Sequence, residues 1–282
     1  MTRRPPWQAW LAGLAAGVFA AAAMAADPVL TVVVGGRALT HTAASLLAQP
    51  GVVMVTVPQD VGYKRRMTSQ ALPVAALVPG IAAGASLRFS AVDGFATTLP
   101  ADLLLENAES LPRAYLAIEA PDTPWPPLKA GDTATAGPFY LVWVRPERGM
   151  IVPEQWVYGV VRIEDVAPLA QRFPALLPAS GMAVDASVKR GFAVAAKNCL
   201  VCHTLNLAGD GTIGPDLNVP YNPTEYLRLD ALRRLIRDPQ SLHRWPAGRM
   251  PGFSVAVLSD RDLNDVLAYL RHMANRKVAL PK

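Results

Sequence analysis

The chain has two cysteines in 282 residues, and they stand together in Cys199-Leu200-Val201-Cys202-His203. C-x-x-C-H is the spacing at which two thiols add to the vinyl groups of one haem while the adjacent imidazole reaches its iron. Two other uses of a Cys pair fit less well. A thioredoxin-like redox pair opens a helix within a βαβ unit, and no such unit surrounds residue 199. A structural zinc site needs a second Cys/His pair at finger spacing, and the sequence has none. The pentapeptide therefore implies one covalent haem c, attached at Cys199 and Cys202, with His203 as an axial ligand.

Such a haem is attached after export, and the N-terminus reads as an export signal. Arg3 and Arg4 precede a charge-free apolar stretch from Trp7 to Ala23, closed by Ala23-Met24-Ala25. That order predicts a secretory signal over residues 1–25, cleaved before Ala26, and a mature protein in the bacterial periplasm. The alternative is an uncleaved anchor, for which the stretch of about 17 residues is marginal.

An apolar content of 51% argues for packed cores, and the length allows two domains. Residues 26–178 read as a strand-rich domain of α+β or mostly-β class. Leu30–Val34, Val52–Val57, Phe139–Val144 and Trp156–Ile163 are β-branched and aromatic runs. Short helical segments are expected near Ser69–Leu77 and Ala101–Leu105. A connection over residues 179–182, with the boundary near Gly181, leads into an all-helical domain, residues 183–282. There Asp185–Lys197 forms one amphipathic helix, Tyr226–Ile236 a middle helix ended by Asp238-Pro239, and a last helix opens at Ser259 with acidic residues in its first turn.

Charge divides along the same line: residues 26–182 carry a net −2 and residues 183–282 a net +5. A basic domain suits an acidic protein surface or anionic lipid. Without basic and aromatic residues interleaved, nucleic acid is not an expected partner.

Residues 183–282 resemble a class I c-type cytochrome, in which N- and C-terminal helices cross and a haem is wedged between loops. The resemblance rests on the haem motif, on Gly214-Pro215-Asp216-Leu217 shortly after it, and on Arg249-Met250-Pro251-Gly252-Phe253. It implies that Pro215 packs on the haem, that a nearby backbone carbonyl accepts the second N–H of His203, and that Met250 is the sixth ligand. His243, in the same loop as Met250, and His272, expected on the solvent side of the last helix, are the rival ligands. Tyr269 resembles the aromatic that meets the first helix at Gly191-Phe192. Arg244 and Trp245 are candidate propionate donors.

The front domain resembles, more faintly, the molybdopterin-binding fold of the sulfite-oxidase type. The stretches concerned include Leu72–Pro79, Val92-Asp93-Gly94-Phe95, Gly137–Val142 and Trp156–Ile163. That family holds molybdenum through a Cys thiolate, and this region has no Cys, so the domain is expected to bind no cofactor. His41, Asp93 and Lys64-Arg65-Arg66 are expected to be solvated. The expectation is a periplasmic electron carrier, not an enzyme, whose front domain docks a redox partner such as an oxidase or dehydrogenase. The alternative is a haem-linked subunit or remnant of a molybdenum oxidoreductase.

Overall fold

The structure is a computed structural model that describes residues 29–280 except 83, 150, 184–185, 245–247 and 249. The expected signal segment, Asp185, Trp245 and Arg249 lie outside the described residues. Among those residues no helix is long and apolar enough to cross a membrane.

The front half holds two sheets. β1 (Val29–Val34), β2 (Arg37–Thr42), β5 (Ser86–Ala91), β6 (Ala96–Pro100) and β9 (Val160–Val166) form one, in the order β2-β1-β9-β5-β6. β3 (Val53–Val57), β4 (Met67–Pro73), β7 (Arg113–Ile118) and β8 (Phe139–Val144) form the other, in the order β3-β4-β7-β8. Short helices α1 (Ala43–Leu47), α2 (Val74–Leu77) and α3 (Ala101–Leu105) join strands. Alternate side chains of β1 point inward, as a half-buried strand requires, and Leu30 and Val32 meet Leu87, Phe89 and Ile163 of their own sheet and Leu72, Leu116 and Trp143 of the other in one core. β1 and β9 pair in parallel, so the last strand lies inside its sheet, between β1 and β5.

From β9 the chain passes through α4 (Leu169–Arg172) into the helical half: α5 (Ser187–Asn198), α6 (Pro223–Tyr226), α7 (Leu229–Arg237) and α8 (Asp260–Ala274). α5 and α8 cross at Gly191, where a Cβ would fall on the Asp265 carbonyl. Arg190 pairs with the buried Asp265 at 2.7 Å, Ser187 donates to the same carboxylate, and the Phe192 and Tyr269 rings lie 5.7 Å apart. Ser259 caps α8 by accepting from the Asp262 N–H, and Leu263, Val266, Leu267 and Leu270 are buried along it.

Five expectations shift. Ser69–Pro73 is strand rather than helix, because pairing with β3 and β7 overrides the local pattern. The run Trp156–Ile163 becomes strand only from Val160, after Gly159 takes a left-handed φ of 55°. The middle helix is broken at Leu227 and Arg228, both extended, into α6 and α7. Packing with the helices also begins before Gly181. Leu169, Phe173 and Leu176 join the helical core, and Tyr269 Oη donates to the Leu176 carbonyl at 2.7 Å. His272 is accordingly half-buried rather than solvated, its Nε2 accepting from the Ala179 N–H at 3.0 Å.

Gly→Ala inside a helix ordinarily gains about 1 kcal/mol. Gly191→Ala should instead lose about 2–3 kcal/mol, because the helices must separate to admit the methyl group; denaturant unfolding reads the sign.

Candidate haem site

The haem motif follows directly from α5. The Cys202 and His203 N–H groups both donate to the Cys199 carbonyl, at 3.1 and 3.0 Å, so the pentapeptide is one helical turn. The chain then folds back over itself: Ile213 and Gly214 N–H donate to the Cys202 carbonyl at 3.0 and 2.8 Å. Glycine is required at 214, since a Cβ there would run into the His203 ring. His203 Nδ1 lies 2.7 Å from the Pro215 carbonyl oxygen. A carbonyl can only accept, so Nδ1 carries the proton and Nε2 is left as the nitrogen able to bind a metal.

These residues wall a cavity of about 400 Å³. It lies between two apolar clusters: one built from α5, α8 and the haem loop (Ala195, Leu200, Tyr269, Leu270), the other from α7 and the loop before α8 (Leu232, Ile236, Phe253). Cys199, Cys202, His203, Pro215 and Met250 all line it, whereas His243 and His272 do not, and His243 and Arg244 are exposed. Met250 is half-buried and packs against the second cluster. Desolvation in the wall, then Glu154 and Cys202, push the Cys199 thiol up to about 12. A mostly apolar chamber with two thiols, an oriented imidazole and a thioether on its walls has the donor set of a c-type haem.

Around this lies a frame that the sequence did not disclose. Asp216 accepts from the N–H groups of Asn206, Leu207, Asn218 and Val219. Burial raises its pKa, but the Val219, Leu207 and Asn218 amides outweigh that and hold it below the ordinary range. The buried amides of Asn206, Asn218 and Asn222 run in a chain to the Met273 and Leu270 carbonyls of α8. Only Asn222 had a local signal, as the cap of Asn222-Pro223-Thr224-Glu225.

The front domain grips the same loop. Arg172 and Arg88 both pair with Asp210, at 2.6 and 2.7 Å, and the Asp210 side chain is 6% exposed. Ala96 N–H donates to the Val201 carbonyl inside the haem motif at 3.4 Å, and Thr212 Oγ1 to Gly94 O at 3.3 Å. Glu154, from the 3₁₀ turn Pro153–Gln155, reaches the haem-type cavity itself.

Residues 188–274 match the cytochrome c family. They form a cytochrome c domain. The chemistry of such a domain is haem-based electron transfer, and the cavity above carries a donor set that fits haem c. No curated protein matches the chain. Among solved structures, the chain is similar to the crystal structure of the sulfane dehydrogenase SoxCD from Paracoccus pantotrophus, at 16% identity and a TM-score of 0.33, over 52% of this chain and 40% of that one. The chain thus spans two fifths of that protein's length, and a likeness so weak says nothing of the front domain's chemistry.

Asp210→Asn should cost about 3 kcal/mol at neutral pH, because Arg88 and Arg172 lose their buried counter-charge. Burial raises the Asp210 pKa, but Arg172 and Arg88 outweigh it and hold the carboxyl below the ordinary range. Its stabilisation is therefore present above the unfolded value of about 3.9 and lost as pH falls through the lower native value. Denaturation of both proteins at neutral and strongly acidic pH should show the gap closing.

Proposed function

We propose that the chain is a periplasmic electron carrier with one covalent haem c, held by thioether bonds to Cys199 and Cys202 and ligated by His203 Nε2 and Met250 Sδ. The observation that carries this reading is the His203 Nδ1–H bond to Pro215 O in a cavity that Met250 also lines. The bound group supplies an iron that takes up and gives back one electron. This chain's residues do the rest. Pro215 holds the proton on Nδ1, which fixes the imidazole and raises the basicity of Nε2. Met250 favours the reduced state relative to a second nitrogen ligand. Leu200, Leu232, Ile236 and Phe253 keep water from the walls. With His203 and Met250 as its protein ligands the group would leave no position open to a substrate, so we read a carrier and not an enzyme. The front domain, bonded to the haem loop, is the docking module: a partner seated on it stands beside the haem.

In this reading Met250→Ala keeps the covalent haem but loses the long-wavelength iron–sulfur band, lowers the potential and lets the reduced protein bind CO. If His243→Ala does all this and Met250→Ala does not, the sixth ligand is His243. Replacing Cys199 and Cys202 by Ser should abolish haem staining on a denaturing gel.

A further inference from the structure

The haem cavity has a charged wall that belongs to the other domain. Glu154 lines it together with Cys199, His203 and Met250. The turn that presents Glu154 is locked: Gln155 Oε1 accepts from Val152 N–H at 2.9 Å, Trp156 N–H donates to Pro153 O at 3.0 Å, and Trp143 Nε1–H donates to Gln155 O at 2.8 Å. Glu154 Oε2 is closed off from solvent and has no hydrogen-bond partner among the described residues. A carboxylate left in that position bears a desolvation cost that protonation relieves.

We propose that Glu154 is a proton-binding site coupled to electron transfer, placed in the haem cavity by the front domain, filled from solvent when an electron arrives and emptied when it leaves. The inference rests on the haem reading above. The iron site carries one more positive charge before the electron arrives than after, and that charge favours the ionised carboxylate. When the charge is cancelled, the Glu154 carboxyl becomes a weaker acid. One electron comes from a one-electron donor and one proton from water; the Oε2–H bond is the only bond made, and oxidation breaks it.

The surroundings fit this assignment. Burial raises the Glu154 pKa above the ordinary carboxylate range, with its own backbone N–H and then Lys197 of α5 pulling the other way. The other titratable groups facing it or sharing the cavity are Tyr158, Tyr269, His203, Cys199, Cys202 and Tyr226. Burial, then Asp60, pushes Tyr158 up to about 12, and burial raises Tyr269 as well. His203 keeps its Nδ1 proton on Pro215, and Cys199 and Cys202 are consumed by attachment; Tyr226 is the remaining phenol on the wall. A second cavity of about 390 Å³ opens between the domains, with Ser86, Thr97, Thr98, Gln155, Lys197 and Asp210 on its walls. It brings polar groups up to the residue next to Glu154.

The test is a redox titration of the full-length haem protein between pH 5 and 9. The midpoint of the wild type should fall with rising pH across a limited window, approaching a tenfold change in the reduction equilibrium per pH unit, or 59 mV for one electron. Glu154→Gln, which keeps the shape and has no proton to exchange, should be flat over that window. Lys197→Gln, lacking the nearby amine, should shift the window to higher pH. Infrared difference spectra of the wild type should gain a protonated-carboxyl band on reduction, absent from Glu154→Gln. A flat wild-type titration overturns the proposal, as does a slope that survives in Glu154→Gln, which would assign the proton to a haem propionate. Failure of the haem reading itself would show separately, as loss of covalent haem or of the iron–sulfur band.

Discussion

Asp210 sits seven residues beyond His203 and is almost wholly out of water. An isolated carboxylate there would be untenable; two guanidinium groups from the other domain make it the fixed point of the molecule. Arg88 comes from the middle of one sheet and Arg172 from the end of α4, and Arg88 also pairs with Glu164 of β9. The network therefore ties the haem loop to β5, to β9 and to the segment that leaves the sheet. Because β9 is interior to its sheet, the tie is to the rigid part of the front domain and not to a loose edge. The two halves of the chain act on the haem loop as one body.

From the other side, α8 holds the same loop. The close crossing at Gly191 brings α8 against α5, Tyr269 reaches across to Leu176, and the chain of asparagine amides carries the carbonyls at the end of α8 to the haem loop. The cavity is what remains between these supports. Its apolar walls and low dielectric make each charge near it count for more than it would in water, which is why one carboxyl from a neighbouring domain matters there.

Much of this was legible in the sequence wherever the signal was local. Cys199, Cys202 and His203 are set by spacing, Pro215 and Met250 by short loop motifs, and α8 by its apolar stripe and Ser259 cap; the structure brings the five site residues to one cavity. β1, β3 and β8 announced themselves as β-branched runs, whereas β2, β4, β5, β6 and β7 are shorter on such residues and are strands because of their partners. Glu154 and the Arg88–Asp210–Arg172 cluster left no trace, since residues tens to more than a hundred positions apart have to meet before they mean anything. His272 was misplaced for the same reason: its partner, Ala179, lies in a connection whose fold depends on the helices it crosses.

The bracing of the haem loop has a consequence for speed. A redox centre whose surroundings rearrange when an electron arrives spends driving force on that rearrangement. Here the loop's carbonyls, its histidine and its buried acid are already bonded in place, by α8 behind and the sheet in front. Dipoles fixed in advance do not have to turn. The two domains together therefore build a low reorganisation energy into the site, and an electron can cross with little movement of the protein to slow it.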